Sequence, residues 1–310
     1  MFHHFHGENH PKVQGSIDSI EFEQILSWLE QNYNLLSADV FLDRFLKEKL
    51  GQGDICLSFD DALLCQFEIA VPILAKKDLS SFFFVYSSIL TGNPDYLEIY
   101  RYFRTTCFTN IDDFYSKFFE LVKVSIGPIY SENMTRFSKS NYLVAYPFYS
   151  WNDRWFRFLR DNVLGRNAYS EIMSQLMIKE NFDPVDCFSK LWMGSNEIKQ
   201  ISCDGHLVGL HSHSHPTKMS DLTFYEQKHE YETNFQHLKK LTRNMDLVSM
   251  SHPCGDFNAD TLEVLESLGI KIGFGSSMKQ DQWAGRFCVP REDHSNVAKA
   301  IKSEIDHIYR

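Results

Sequence analysis

The 310-residue sequence predicts an α/β protein built on parallel β/α units. Apolar, strand-prone runs alternate with segments of helical periodicity over 54–86, and the alternation resumes over 194–309. The run from Ser80 to Tyr86 is almost continuously apolar, which is typical of a strand buried on both faces of a sheet. Aromatic-rich helical segments replace this rhythm from about 92 to 190. We therefore predict one domain, 1–310, interrupted by a helical insertion.

Before the insertion, apolar spacing predicts short strands and amphipathic helices. Asp18 and Glu21 have the spacing of a capping box, which places a helix start there. Pro72 falls inside a helical pattern and predicts a kink. The predicted strands cover 1–7, 54–59 and 80–86, and the predicted helices cover 19–32, 38–49 and 62–77.

Within the insertion, aromatic side chains either stack on sugar rings or pack the insertion's own core, and the second interpretation is favoured; these are Tyr142, Tyr146, Tyr149, Trp151 and Trp155. After the insertion, strand and helix alternate again, and Gly269 marks a helix end. The predicted strands cover 206–210, 247–250, 270–274 and 286–291, and the predicted helices cover 194–203, 222–241, 259–268 and 297–309.

Composition and charge argue against several classes of function. The net charge of −10 and the pI near 5.7 argue against non-specific binding to nucleic acid or to an anionic membrane. The seven cysteines are scattered, and none forms a CxxC pair, so they are interpreted as reduced thiols. The first residues do not have the pattern of a signal peptide, and no window has the length of a membrane span. We therefore expect a cytoplasmic protein.

Two adjacent carboxylates, Asp60 and Asp61, follow the strand predicted over 54–59. The C-terminal end of a strand in an α/β protein is where reactive groups gather. Neighbouring carboxylates repel each other unless a metal, a cation or a shared proton offsets their charge. The alternative is a helix N-cap followed by a first-turn acid.

Three histidines alternate with serine at His211, His213 and His215, directly after the strand predicted over 206–210. Imidazoles four residues apart can bind one ion from a helix face or from a strand-to-turn transition. With one Asp from another strand end, they make a His-His-carboxylate site that can activate water. On an extended backbone His213 shares their face, so the sequence leaves it open as a ligand. A His-rich polar loop without metal is the alternative.

A second group of histidines lies at the N-terminus, at His3, His4 and His6. They are candidates for metal ligands. The alternative is that they reach a pocket and form hydrogen bonds there.

These motifs resemble those of the NodB-type polysaccharide deacetylases, metal-dependent hydrolases that remove N- or O-acyl groups from sugars. Ser58-Phe59-Asp60-Asp61-Ala62 resembles their first motif, commonly Thr-Phe-Asp-Asp-Gly. His211-Ser212-His213-Ser214-His215 resembles their second, His-Ser/Thr-x-x-His. Ser251-His252-Pro253-Cys254-Gly255 resembles their third, often Arg-x-Pro-Tyr-Gly, less closely. The resemblance covers about 1–90 and 190–310.

The resemblance implies a distorted (β/α) barrel with a metal, usually zinc or another divalent ion, at its C-terminal mouth. By position, Asp61, His211 and His215 would bind the metal. Asp60 would be the general base, and the backbone N–H of Cys254 would help to hold the oxyanion.

The chain departs from the family pattern at three places in the site. Ser251 stands where the family often has an Arg that orients the base, and Arg291 or Arg286 is a candidate substitute. Pro253 and Arg291 are also candidates for binding substrate, and the alternative for Arg291 is an ion pair with a nearby acid.

The family's C-terminal Leu-x-His motif, which supplies a general acid, is not evident, and Ala62 replaces Gly. His252 and His294 are the candidate acids; the alternative for His294 is a surface residue after a strand. If neither substitutes, slow catalysis or a more easily cleaved substrate such as a formamide is expected.

The leading hypothesis is a metal-dependent hydrolase of C–N bonds that removes an N-acetyl or N-formyl group in surface-polysaccharide biosynthesis. Its substrate would be a nucleotide- or lipid-linked sugar or a polysaccharide precursor. The alternatives are a catalytically impaired glycan-binding or assembly protein on the same barrel, and a sugar O-deacetylase. The presence of Asp60 argues against a protein that only binds glycans, because binding alone needs no free base beside the metal.

Overall fold

In a computed structural model, the chain divides into two compact units. One comprises Met1–Asp95 with Phe188–Arg310, and the other is Tyr96–Cys187. The structure describes residues 1–144, 149–242, 246–278 and 282–308. Tyr146, one of the aromatic residues considered above, lies outside the described residues.

The first unit is built around a parallel sheet of five strands in the order β3-β4-β5-β6-β7. All neighbouring pairs are parallel, and β4 is buried along its whole length, as its continuous apolar run predicts. The predicted parallel β/α frame is therefore confirmed. A separate parallel pair precedes the sheet. The strands are β1 (Asn34–Leu35), β2 (Asp54–Ile55), β3 (Ser58–Phe59), β4 (Phe82–Val85), β5 (Leu207–Leu210), β6 (Ser249–Ser251) and β7 (Ile272–Phe274).

Three predicted strands are less regular than expected. The run 54–59 is split, because β2 pairs with β1 whereas β3 pairs with β4. The N-terminal strand is reduced to isolated bridges, of which Phe2 with Phe59 extends the sheet. The strand predicted over 286–291 contributes only the bridge of Val289 with Phe274, because a 3₁₀ turn occupies Gln282–Phe287.

Helices surround this sheet. The capping box predicted for α1 is present: Asp18 accepts from the Glu21 N–H at 2.8 Å, and Glu21 accepts from the Asp18 N–H at 2.9 Å. Where one helix with a kink at Pro72 was predicted, a π-helical turn over Gln66–Ala70 leads into α3, because Pro72 has no N–H to continue the helical ladder. The helices of this unit are α1 (Ser19–Asn32), α2 (Ala38–Leu46), α3 (Val71–Lys76), α9 (Phe188–Leu191), α10 (Ser195–Cys203), α11 (Phe224–Lys239), α12 (Ala259–Ser267) and α13 (His294–Ile308).

The second unit is helical, and its described aromatic residues mostly pack within it. Trp155 is fully buried, and the Tyr142 hydroxyl donates to Asp161 at 2.5 Å, whereas Trp151 remains 46% exposed. No helix among the described residues of either unit is long and apolar enough to cross a membrane. The helices of this unit are α4 (Tyr96–Cys107), α5 (Ile111–Ile126), α6 (Pro128–Ser138), α7 (Trp151–Leu159) and α8 (Gly165–Lys179).

One buried histidine at the start of β5 makes the stability of the fold depend on pH. His206 is buried, and its Nδ1 accepts a hydrogen bond from the Ser81 N–H at 3.1 Å, which requires an unprotonated nitrogen. Burial lowers the pKa of His206 to about 4. Between this value and the ordinary 6.5, the unfolded chain binds a proton that the folded chain does not. Stability therefore falls as the pH falls through that window.

We expect His206 to contribute a loss on the order of 3 kcal/mol between pH 7 and pH 4. Urea unfolding of the wild type and of His206→Asn at both pH values measures this contribution. The variant should lose less stability on acidification than the wild type. Equal losses in the two proteins would show that His206 does not carry this pH dependence.

Candidate active site

Three of the predicted metal ligands converge at the C-terminal edge of the sheet. Asp61 follows β3, and His211 follows β5, so the parallel strands deliver both side chains to the same edge. The Asp61 Oδ1 atom lies 3.3 Å from His211 Nε2 and 3.4 Å from His215 Nε2. The three donor atoms thus surround one point.

The backbone of this site is locally strained. Asp61 and Ala62 have φ values of 74° and 52°, and Ser212 and His215 have 63° and 56°. These left-handed conformations are costly for residues other than glycine and cluster at functional sites. They allow the chain to turn sharply after each strand, so that its ligand side chains face one another.

Hydrogen bonds to the far side of each imidazole fix the orientation of the two rings. His211 Nδ1 lies 2.8 Å from the Ser251 carbonyl, and His215 Nδ1 lies 3.2 Å from Asp95 Oδ2. Both acceptors require a proton on Nδ1, so each Nε2 keeps a lone pair for the ion. Asp95 and the Ser251 carbonyl were not predicted as part of the site.

The donor set fits a divalent metal ion such as zinc. Asp61 Oδ1 is buried and has no hydrogen-bond partner among the described residues. Ligand atoms of a tetrahedral zinc ion lie about 3.3 Å apart, which is close to the two distances above. Burial raises the pKa of Asp61, but the adjacent imidazoles outweigh it and hold that pKa well below its ordinary value. The carboxylate is therefore ionised, as a metal ligand must be.

Asp95 supports His215, so its replacement should weaken metal binding. Asp95→Asn keeps the shape of the side chain but removes the anionic acceptor, and we expect zinc affinity to fall about 10- to 100-fold. Competition with a chromophoric chelator measures this affinity. Asp183→Asn, a change in the helical unit, is the control. An unchanged zinc affinity in Asp95→Asn would mean that this contact does not support the ligand.

Asp60, next to the ligand Asp61, is held by a buried arginine. Arg291 donates from Nη1 to Asp60 Oδ1 at 2.8 Å and from Nη2 to Asp60 Oδ2 at 2.7 Å. Arg291 Nη2 also donates to Ser251 Oγ at 2.7 Å, and Ser251 Oγ lies 3.3 Å from Asp60 Oδ2. Burial raises the pKa of Asp60, but Arg291, together with His211 and His3, outweighs burial and lowers the net pKa well below its ordinary range. Asp60 is therefore ionised and fixed in orientation.

The structure distinguishes the two candidate arginines. Arg291 is buried and pairs with Asp60, which is the ion pair given as its alternative and does not support a substrate-binding role. The small Ser251 side chain accepts from this guanidinium, which arrives from the segment after β7. Arg286 is exposed and pairs with Glu266 at 2.9 Å. Arg291 thus occupies the base-orienting position.

His3 is the histidine that contacts the candidate base. Its Nε2 lies 3.8 Å from Asp60 Oδ2, and its side chain is 27% exposed. The buried Gln66 amide fixes this juxtaposition, because it donates to the His3 carbonyl at 2.9 Å and to the Asp60 carbonyl at 2.6 Å. Burial, partly offset by Asp61 and Asp60, lowers the pKa of His3. Sequence alone left His3 undetermined, and its proximity to Asp60 comes from the pairing of Phe2 with Phe59.

The two candidate acids, His252 and His294, are placed differently from the prediction. His252 is buried, stacks on Phe257, and its Nε2 bonds to the Phe287 carbonyl at 2.7 Å. Burial lowers the pKa of His252 to about 4. His294 is also buried, and its Nε2 bonds to the Gly15 carbonyl at 2.8 Å. Both rings are buried and form hydrogen bonds with backbone carbonyls, so neither is arranged to protonate a substrate.

The third motif forms a short 3₁₀ turn, Pro253–Gly255, after β6. Cys254 is exposed and has a left-handed backbone with φ 52°, whereas Pro253 is buried and does not present its ring to a ligand. N–H groups in the first turn of a helix lack intrahelical partners, so the Cys254 N–H keeps its predicted role as a candidate oxyanion donor.

The remaining histidines do not join the ligand cluster in the described part of the chain. His213 Nδ1 bonds to Ser87 Oγ at 2.9 Å, and its ring packs on His237. His4 stacks on His3, and His6 Nδ1 bonds to Ser16 Oγ at 3.0 Å. The metal-ligand alternative is therefore not supported for His213, His3 or His4.

Comparisons with known proteins bear on this arrangement. A sequence model of the family described as polysaccharide deacetylase matches residues 164–273. No curated protein matches the chain. IcaB from Ammonifex degensii is 15% identical, with 96% of this chain and 92% of that chain covered at a TM-score of 0.54. The Streptococcus pyogenes deacetylase PplD, solved in complex with acetate, is 14% identical, with 94% and 88% covered at a TM-score of 0.52.

A de-N-acetylase from Aggregatibacter actinomycetemcomitans is similar at the same level, with 12% identity, 94% and 91% coverage and a TM-score of 0.52. At such identities these structures show the shared fold. The chain is thus an α/β protein with the distorted (β/α) barrel fold that the sequence predicts. Its predicted resemblance to the NodB-type polysaccharide deacetylases is confirmed by the family match together with this fold.

Proposed function

We propose that the protein is a metal-dependent hydrolase that removes an N-acyl group from a sugar or a glycan precursor. The observation that carries this proposal is the convergence of Asp61 Oδ1 with His211 Nε2 and His215 Nε2. An Asp60 carboxylate locked by Arg291 lies immediately beside it. The deacetylase names of PplD and of the Aggregatibacter protein agree with this chemistry.

Asp61, His211 and His215 would hold the ion, with zinc as the favoured identity. A divalent ion there acidifies water and polarises the acyl carbonyl. Asp60 is ionised and oriented by Arg291, so it can accept the proton of the attacking water. The Cys254 N–H would donate to the developing oxyanion. The two adjacent carboxylates would therefore have different roles, because Asp61 faces the imidazoles and Asp60 faces the guanidinium.

His3 is our candidate for the general acid that protonates the leaving amine. Its Nε2 lies 3.8 Å from Asp60 Oδ2, and a shift of about 0.6 Å would bring the two atoms within the hydrogen-bond distance that proton transfer needs. We expect His3→Gln to reduce hydrolysis of an N-acyl sugar about 100-fold. The same variant should hydrolyse an ester with a good leaving group, such as 4-nitrophenyl acetate, at nearly the wild-type rate, because that leaving group needs no proton. Equal losses on both substrates would argue against the acid role.

The acyl group and the form of the sugar are tested by measuring released acetate and formate. Purified zinc-loaded protein is incubated with N-acetyl, N-formyl and O-acetyl sugars, each offered free, nucleotide-linked and as an oligosaccharide. We expect release from an N-acyl substrate that is lost in Asp60→Asn. Release from O-acetyl substrates alone would identify an O-deacetylase. Binding without release in any arm would favour the glycan-binding alternative.

A further inference from the structure

Arg104 in the helical unit is a partly buried cation that lies over two aromatic rings and has no carboxylate partner among the described residues. Its guanidinium carbon lies 4.9 Å from the ring centroid of Phe156 and 5.6 Å from that of Phe114, both of which are buried. Its Nε is buried and has no hydrogen-bond partner. Within the described residues, the Arg104 side chain makes no hydrogen bond and no ion pair. Buried guanidinium nitrogens are normally hydrogen-bonded, so the Nε needs an explanation.

Two acidic side chains of the same unit form hydrogen bonds with other groups. Asp153 accepts from the Tyr115 hydroxyl. Asp161 accepts from the Tyr142 hydroxyl and from Arg160. No carboxylate among the described residues forms an ion pair with Arg104.

Two further arginines lie near Arg104, and one of them, Arg101, also pairs with Glu98 at 3.4 Å. Burial lowers the pKa of the Arg104 guanidinium, and the like charges of Arg101 and Arg157 lower it further, although it stays cationic at neutral pH. Arg157 in turn lies 4.3 Å from the Tyr149 ring centroid. Arg101 and Arg104 are three residues apart on α4, so they occupy adjacent positions on that helix.

The arginines of the chain are concentrated in this helical unit. Seven of the twelve arginines fall within 96–187. This segment contains eleven Lys or Arg and eleven Asp or Glu, so the net charge of −10 resides entirely in the rest of the chain. The insertion is therefore the part of the protein that repels an anion least.

We propose that the helical unit contains an oxyanion-binding site in which Arg104, flanked by Phe114 and Phe156 and supported by Arg101 and Arg157, binds a phosphate or carboxylate group. A guanidinium offers parallel N–H donors that match either anion in a bidentate arrangement. The aromatic rings hold its plane and exclude water from one side. The site stands on the geometry of this unit alone.

The test is isothermal titration calorimetry of metal-free protein at constant ionic strength. The probes are inorganic phosphate, inorganic diphosphate and glucuronate. Phosphate or diphosphate binding would assign the site to a phosphorylated ligand, and binding of glucuronate alone would assign it to an acidic sugar. We expect one saturable site, weakened at least tenfold in Arg104→Met and less in Arg104→Lys, which keeps the charge but loses the planar fork.

Arg136→Met is the matched control, because Arg136 also lies over a Phe ring, at 5.2 Å from the centroid of Phe158, but is exposed. It should bind the anion as the wild type does. His215→Ala should also bind it normally, so a failure of the metal site and a failure of this site are distinguishable.

Thermal unfolding separates binding from a structural role. Arg104→Met removes a partly buried charge that has no carboxylate partner and keeps the apolar stem, so its melting temperature should equal or exceed that of the wild type. No saturable binding by any probe, or unchanged binding in Arg104→Met, would overturn the proposal. A lowered melting temperature with unchanged anion binding would instead assign Arg104 to packing.

Discussion

Replacement of Asp60 by Asn is expected to lower kcat on an N-acyl sugar about 10³-fold while leaving the metal content unchanged. Asn keeps the shape of Asp60 and can still accept hydrogen bonds from Arg291, but it cannot take up a proton. Asp60 is not one of the three converging donors, so the metal site should remain intact. Steady-state kinetics and elemental analysis of the same preparation measure both effects.

The matched variant is Asp61→Asn, which alters the neighbouring carboxylate. It should lose both metal and turnover, because its Oδ1 is the atom that faces His211 and His215. The pair therefore separates the base from the ligand. Turnover by Asp60→Asn at the wild-type rate would show that the base is assigned to the wrong carboxylate.

Replacement of Arg291 by Met should destabilise the protein by about 3–5 kcal/mol, because it leaves Asp60 buried and uncompensated. Both members of the pair are about 95% buried, and the guanidinium also donates to the Gly275 carbonyl at 2.5 Å. Urea unfolding at neutral pH measures the loss. Arg286→Met, which removes an exposed ion pair with Glu266, should leave stability nearly unchanged.

A second substitution tests the cause of that loss. Adding Asp60→Asn to Arg291→Met removes the stranded charge, so the double variant should be more stable than Arg291→Met alone. If the double variant were less stable still, the loss would come from packing of the Arg291 side chain and not from the unpaired carboxylate.

Local signals explain which parts of the fold and the site were predictable. The strand β4 is encoded by a continuous apolar run, and α1 by its capping box and helical period. The meeting of the Asp60-Asp61 pair with His211 and His215 was predictable because motifs placed directly after strands meet at one edge of a parallel sheet, and the family resemblance selected Asp61 as the ligand. Which strand ends lie near one another depends on the order of the strands in the sheet and not on side-chain details.

Contacts between distant segments explain what the sequence did not reveal. Arg291 and Asp60 are 231 residues apart, so the sequence offered both Arg291 and Arg286 as the orienting arginine and did not choose between them. Asp95 and His215 are 120 residues apart, and no local pattern marks Asp95 as an acceptor. His252 and His294 illustrate the opposite error: their residue type suits acid catalysis, but their rings are enclosed and bonded to backbone carbonyls. Burial in the fold, which the sequence does not state, decides their use.

The measurement that tests the central proposal most directly is the metal content of purified protein, wild type and His215→Ala, by elemental analysis after zinc loading and desalting. The geometry of Asp61, His211 and His215 predicts about one zinc per chain in the wild type and a large loss in the variant. His213→Ala is the control, since that ring bonds to Ser87 and should be dispensable for the ion. Absence of bound zinc or another divalent ion in the wild type, or equal content in His215→Ala, would contradict the metal-dependent hydrolase.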